Sequence, residues 1–267
     1  MTDIRFAVGT SRFANHSHQA FMPSVRLAYG GPPEAIRKGL SGEFDEQEPA
    51  LLVSYYYYSA FKKQRSKLTF RDYALDSGAF SAHNSGKVIH LQEYIDFCGE
   101  LLTNDKKLAE VYALDVIGDP VASARNCEEM NRQGIPAIPT FHLGSPWSML
   151  VDMAKDYPKL ALGGMVGKPT ALKGRFIGQA FARVWPKKVH AFGVGSRRLL
   201  RKYPFHSADA SNWEQGPTAY GRWQAYGNMS VRGGSQNLRG EVEWYLRLER
   251  ELQGRWHKEM KLLGGQP

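Results

Sequence analysis

Eight short apolar runs, most of them followed by a stretch able to form a helix, constrain this chain more than any other feature. They are Ile4–Gly9, Ala50–Tyr58, Tyr73–Phe80, Glu110–Ile117, Ala137–Leu143, Lys159–Val166, Val189–Gly195 and Pro204–Ala210. Each is nearly continuous in apolar character instead of alternating, the pattern of a parallel strand buried on both faces. Between them, His90–Thr103 carries Leu91, Tyr94, Ile95, Cys98, Leu101 and Leu102 on one helical face, and Thr170–Val184 repeats Leu172, Phe176, Ala180 and Val184 at helical spacing. Pro120–Arg132 and Pro146–Lys155 each open on a proline suited to a first helical turn, and Ser196–Lys202 has room for about two turns. Eight strands alternating with helices in 267 residues predict an α/β fold, a (β/α)8 TIM barrel, with a doubly wound open sheet as the alternative.

The whole chain, 1–267, reads as one domain, with the barrel over about 4–210 and a C-terminal extension over 211–267. Ser11–Pro49, rich in Gly, Pro and charge, reads as an irregular N-terminal insertion that forms a lid or touches substrate. Tyr55–Tyr58 reads as strand with rings on both faces, and Ser211–Arg239 as an extended, ordered loop. Gly240–Leu263 reads as a closing helix with Trp244, Leu248 and Leu252 on its inward stripe. No stretch of about 18 apolar residues is present and Met1–Phe13 lacks the apolar core of a secretory signal, which places the chain in a cytoplasm. Two cysteines, Cys98 and Cys127, exclude a disulfide scaffold and a four-cysteine zinc site.

Charge is uneven. The formal net charge is +9, yet Lys187–Pro267 alone holds 14 Lys/Arg against 7 Asp/Glu. A basic third of a chain suits a polyanion such as nucleic acid, or is a solvated surface and nothing more. Trp213, Tyr220, Trp223, Tyr226, Trp244, Tyr245 and Trp256 accompany it; a few such rings stack on bases in nucleic-acid-binding proteins, and most belong to cores.

A barrel makes a demand of its own: the groups that do chemistry lie where strands end and loops begin. Asp76 follows Tyr73-Ala74-Leu75, Asp115 follows Val111-Tyr112-Ala113-Leu114, and Asp209 follows Phe205-His206-Ser207-Ala208. His142 ends the fifth run, Gly163-Gly164 the sixth and Gly193-Val194-Gly195 the seventh. A carboxylate ending an apolar run is unfavourable unless hydrogen-bonded or used. Any one of the three could simply cap the next helix, but three on one rim perturb each other and so separate into a proton donor and an ionised partner. Gly163-Gly164 admits a flat ligand to the backbone, or else allows tight packing, and Gly193–Ser196 before a short helix is a weak anion motif. His190 and His206 read as hydrogen-bonded core histidines, and neither an HExxH nor a GxSxG pattern occurs, so no metal ligand, serine nucleophile or cofactor is indicated.

These rim segments resemble the tRNA-guanine transglycosylase superfamily. Leu75-Asp76-Ser77-Gly78-Ala79-Phe80 resembles its LDSGGF/Y segment, Ala113-Leu114-Asp115 its AFD segment, and Leu162-Gly163-Gly164 its GG loop. Phe192-Gly193-Val194-Gly195 resembles its MGVG segment and Ser207-Ala208-Asp209 its nucleophile segment, in the same order along the chain. The resemblance implies a pentosyltransferase that exchanges guanine. Asp209 would attack C1′ of a guanosine nucleotide and form a covalent glycosyl-enzyme, with Asp76 as general acid and base. Asp115 would read the purine edge, Ser77 and the Gly163-Gly164 and Gly193 backbone would hold the base, Phe80 and Phe192 would sandwich it, and His142 would stand where the family carries Gln.

The tRNA enzymes of the family are longer and bear a CxC–x2–C zinc site after the nucleophile, whereas no cysteine follows Cys127 here. The segment Ser207-Ala208-Asp209-Ala210-Ser211-Asn212-Trp213 and the short chain are closest to the zinc-free phage relatives that insert 7-deazaguanines such as preQ0 into DNA. That resemblance implies a DNA partner, with tRNA exchange of the queuine, preQ1 or archaeosine type as the alternative, and a host cytoplasm as the location if phage-encoded. Arg197, Arg198, Arg201 and Lys202 would take the phosphates. A phosphate-binding small-molecule barrel enzyme and a non-catalytic nucleic-acid-binding barrel are the rival readings.

Overall fold

A computed structural model describes residues 23–30, 33–220, 222–223, 229–230 and 238–262. Its main sheet is parallel throughout and runs in the order β5-β4-β3-β2-β1-β9-β8-β7-β6. The segments are β1 Ser24–Tyr29, β2 Ala50–Ser54, β3 Tyr73–Asp76, β4 Leu108–Tyr112, β5 Ala137–Ile138, β6 Thr140–His142, β7 Lys159–Gly163, β8 Lys188–Ala191 and β9 Ser207–Ala210. The two ends of that order, β5 and β6, are halves of one strand parted by Pro139, which has no N–H to give a ladder. Ala113 N–H donates to Ile138 O at 3.0 Å on one side, and Ala161 N–H donates to Pro139 O at 2.9 Å on the other. The sheet therefore closes on itself as eight parallel strands, the (β/α)8 barrel that the apolar runs predict.

Helices α1 Pro33–Leu40, α2 Tyr58–Gln64, α3 Ala79–Asn84, α4 Leu91–Asn104, α5 Pro120–Arg132, α6 Trp147–Asp156, α7 Thr170–Val184 and α8 Arg197–Lys202 fill the intervals, followed by α9 Asn212–Tyr220 and α10 Leu238–Leu262. Their apolar faces pack on outward strand residues such as Leu51, Val53, Leu75, Val111, Leu160 and Val189, all buried. The barrel interior is a separate, smaller core of Leu52, Ala74, Tyr112 and Ala161 with Ile138 and Phe192 against it. Alanine on β3 and β7 leaves the room that the Tyr112 ring takes.

Three expectations change. The first strand is β1, inside the segment Ser11–Pro49 that reads as an irregular insertion; α1 lies there too, and Ile4–Gly9 falls outside the described residues. Arg26 interrupts the apolar character of Ser24–Tyr29, but its guanidinium is buried on Asp72 at 2.6 Å and faces Glu110 at 3.7 Å. Tyr55–Tyr58 is not strand: β2 stops at Ser54 opposite Asp76, Tyr55–Tyr57 form a 3-10 turn, and Tyr58 opens α2. The reason is packing, since Tyr55 and Tyr58 each set a ring 4.8 Å from Phe97 on α4. Ser211–Arg239 contains α9 and an antiparallel pair, β10 Arg222–Trp223 with β11 Met229–Ser230, and not only loop. Trp213 anchors α9 from full burial, its indole N–H donating to Ala28 O at 3.0 Å.

The closing helix α10 keeps Leu248 and Leu252 buried and Trp244 half-buried, as its stripe predicts. It also buries Glu249, which accepts from Val25 N–H at 2.7 Å and pairs with Arg71 at 2.7 Å. The N-terminal end of the barrel is tied by charge: Lys159 meets Glu110 at 2.5 Å beside Arg26 and Asp72. Burial would raise the Glu110 carboxyl, but Lys159 and Arg26 outweigh it and hold it down at about 2.

Candidate active site

Because the barrel strands are parallel, their C-terminal ends share one face. Asp76 closes β3, His142 closes β6, Gly163 closes β7 and Asp209 is the third residue of β9. Asp115 lies in the loop after β4, and Gly193 in the turn after β8. The six strand-end features of the sequence thus reach one rim.

Asp76 is held by the turn that follows it. Gly78 has φ +75°, and its N–H donates to Asp76 Oδ2 at 3.0 Å. A Cβ at Gly78 would stand 2.7 Å from Tyr56 Cβ, so this close approach also needs glycine. Burial raises the Asp76 carboxyl most, repulsion from Asp115 adds to it, the Gly78 N–H opposes, and Asp209 raises it further, to about 7. Three carboxylates from separate strands are therefore close enough to act on one of their number. Ser77 is buried, with Oγ 3.4 Å from Ala79 N, and Phe80 in the first turn of α3 is 53% exposed.

Asp115 accepts a contact from His142 Nε2 at 3.1 Å. Burial lowers the His142 imidazole, but the Asp115 carboxylate outweighs it and raises it. The loop carrying Asp115 is pinned on both sides: Asn126 donates to Leu114 O at 3.0 Å and Val116 N–H donates to Ser123 Oγ at 2.8 Å. Gly163 has a packing reason for its identity, since a Cβ there would lie 2.8 Å from Thr140 Cγ2 and 3.0 Å from His142 Cδ2. Gly164 lies beside it with φ +72°.

Asp209 is buried and takes the Gly193 N–H on Oδ1 at 2.8 Å. The glycine turn that reads as an anion motif thus gives its first amide to the chain's own carboxylate. His190 Nε2 lies 3.5 Å from the same oxygen. Lys173 on α7 reaches Gly193 O at 3.4 Å, where burial lowers its ammonium and the Asp209 charge opposes that. Phe192 sets its ring 4.8 Å from Tyr112 and 4.6 Å from His190, both edge-on.

Arg197, Arg198, Arg201 and Lys202 on α8 line a surface cavity of about 540 Å³, and Arg255 from α10 joins them. Glu251 pairs with Arg197 at 2.6 Å and with Arg201 at 2.8 Å, so one acid serves two bases. Of the aromatic residues in this third of the chain, Trp213, Tyr245 and Trp256 are buried core; the side chains of Tyr220, Trp223 and Tyr226 lie outside the described residues. Lys173 and Arg255 carry no motif in the sequence, and His190 reads there as core; a histidine inside a buried strand is the one signal. Among the described residues no group of three or more His, Cys, Asp and Glu is placed to hold a metal ion, and no helix is long and apolar enough to cross a membrane.

No family model and no curated protein matches the chain. Among solved structures it is similar to the YdjI aldolase from Escherichia coli K12, with a TM-score of 0.49 and 11% identity over 92% of each chain. It is also similar to a mutant tryptophan synthase alpha-subunit from Pyrococcus furiosus, with a TM-score of 0.48 and 15% identity over 89% of this chain and 100% of that one. Likeness of this degree leaves activity open, and the barrel rests on its own strand ladder.

Proposed function

We propose that the protein is a base-exchange transglycosylase that replaces guanine in DNA with a 7-deazaguanine. The observation that carries this reading is the carboxylate trio at the barrel mouth, in which Asp76 is raised to about 7 while Asp209 is held by the Gly193 N–H. In the first step an Asp209 oxygen forms a bond to C1′ as the C1′–N9 bond breaks, and protonated Asp76 supplies the proton that the departing guanine takes up. In the second step ionised Asp76 takes the N9 proton of the incoming 7-deazaguanine, whose nitrogen then displaces Asp209. Two inversions restore the starting configuration. Asp115, oriented by His142, accepts from the purine edge. A base in duplex DNA must leave its stack to reach this rim, and the α8 cations together with Arg255 suit the backbone that stays outside.

A second reading has its own support: a cavity of about 540 Å³ lined by five cationic side chains also suits a small phosphorylated substrate. One experiment separates them. Purified protein is incubated with labelled guanine and either DNA or tRNA, and the nucleosides are analysed by mass spectrometry with preQ0 and related bases as competitors. Exchange into DNA, with a covalent adduct that disappears in Asp209→Ala, supports the proposal. Exchange into tRNA alone assigns the other polymer, and no exchange with salt-insensitive behaviour favours the small-molecule enzyme.

A further inference from the structure

Beneath Asp209 the barrel interior holds a file of polar groups that the exchange chemistry alone does not account for. Lys159 Nζ lies 3.2 Å from Ser207 Oγ, Ser207 Oγ lies 2.9 Å from His190 Nδ1, and His190 Nε2 lies 3.5 Å from Asp209 Oδ1. All four residues are buried, His190 completely. The last contact is long for a hydrogen bond, and Nε2 has no nearer partner among the described residues.

Donor and acceptor chemistry gives the file a direction. An ammonium only donates, so Ser207 Oγ accepts from Lys159. A carboxylate only accepts, so the imidazole nitrogen facing Asp209 must carry hydrogen. Nδ1 is then bare and takes the Ser207 hydroxyl hydrogen. The opposite tautomer would set a nitrogen lone pair against a carboxylate in a dry interior. The doubly protonated ring is opposed by burial first and by the Lys159 charge, against the pull of Asp209 and Glu110. Tyr112 and Phe192, with ring centroids 4.8 and 4.6 Å from that of His190, fix its plane.

We propose that His190 is a positioning residue for Asp209: kept in the Nε2–H form through Ser207 and Lys159, it joins the Gly193 N–H in pinning Oδ1 and leaves Oδ2 as the reacting oxygen. Both contacts, from Gly193 N–H and from His190 Nε2, fall on Oδ1, which agrees with that division of labour. The proposal rests on Asp209 being the nucleophile of the exchange.

Two measurements test it. In protein labelled with ¹⁵N-histidine, His190 is expected as the neutral Nε2–H tautomer at neutral pH. Ser207→Ala should shift the Nδ1 resonance, and Asp209→Asn the Nε2 resonance. An Nδ1–H tautomer or an imidazolium would overturn the proposal. In the exchange assay, His190→Gln retains an N–H donor and His190→Phe retains an aromatic ring without one. Loss of positioning is expected to lower kcat on the order of 100-fold in His190→Phe, with KM little changed, and much less in His190→Gln. A purely packing role predicts the reverse order, because phenylalanine fills the site better, and that order would also overturn the proposal. If either variant fails to fold by circular dichroism, Ser207→Ala takes its place, with a kcat loss expected and full activity counting against the proposal. If the wild type exchanges no base in DNA or tRNA, the exchange reading falls by itself, while the tautomer and its response to Ser207→Ala still decide the His190 file.

Discussion

Replacing Asp76 by Asn should make the protein more stable at alkaline pH. The unfolded carboxyl titrates near its ordinary 3.8 and the folded one near 7. Well below pH 3.8 both states are protonated, and Asp76 behaves much as Asn does. As pH rises from there towards 7, the unfolded chain ionises first, so folding loses free energy until the folded carboxyl ionises as well. A difference of about three pH units at 1.36 kcal/mol each makes a ceiling of about 4 kcal/mol. Asp76 is only partly covered, and solvent screening brings the observed value below that ceiling. Asparagine keeps an acceptor for the Gly78 N–H, so the loss of charge is the main change. Urea unfolding of wild type and Asp76→Asn at about pH 4.5, 6 and 8 reads the effect as a gap that opens with pH. A gap of constant size, or a variant less stable at pH 8, would refute the claim that the rim raises Asp76. Under the proposed function, exchange should meanwhile fall at least ~100-fold, the general acid–base contribution.

Glu110→Gln should lower stability by about 3–5 kcal/mol at neutral pH, because Lys159 and Arg26 lose the carboxylate between them. Since the folded Glu110 carboxyl is held at about 2 and the unfolded one near 4.5, the deficit is full above pH 4.5 and closes as pH falls through about 2, which acid titration of unfolding reads. Under the proposed function, Arg198→Ala with Lys202→Ala should weaken nucleic-acid binding uniformly across sequences and lower the salt slope by about two, as fluorescence anisotropy at several salt concentrations measures; an unchanged slope would remove this patch from the proposed interface. Gly163→Ala should displace His142 from Asp115, and the His142 imidazole should then titrate lower by NMR than in the wild type.

Much of the barrel was legible because its strands are buried on both faces and its helices carry regular apolar stripes. What the sequence hides depends on partners far along the chain. Ser24–Tyr29 looks broken by Arg26, and only Asp72 and Glu110, brought by β3 and β4, explain how an arginine sits there. Gly216 and Pro217 disguise α9, which Trp213 holds against β1. The site divides the same way. Asp76, Asp115 and Asp209 show themselves because a charge at the end of an apolar run is conspicuous. His190 lies inside an ordinary-looking strand and Ser207 opens another, and their alignment with Lys159 exists only once β7, β8 and β9 lie side by side. The basic cavity is half legible, since α8 is a contiguous cluster whereas Arg255, on α10, lies more than fifty residues further along the chain.

The proline that splits β5 from β6 makes the cylinder mechanically uneven. On the far side, β3, β2, β1 and β9 are joined by continuous registers, and Asp76 and Asp209 hang from the outer two of those four strands. Asp115 and His142 instead flank a seam that lacks one donor and is made of two- and three-residue pieces. Native-state amide exchange should find its fastest barrel protons along that seam, at Ala113 and Ala161, with slower ones across β1 and β2. Breathing would then be confined to the half of the rim that carries Asp115 and His142, while the half that carries Asp76 and Asp209 stays fixed.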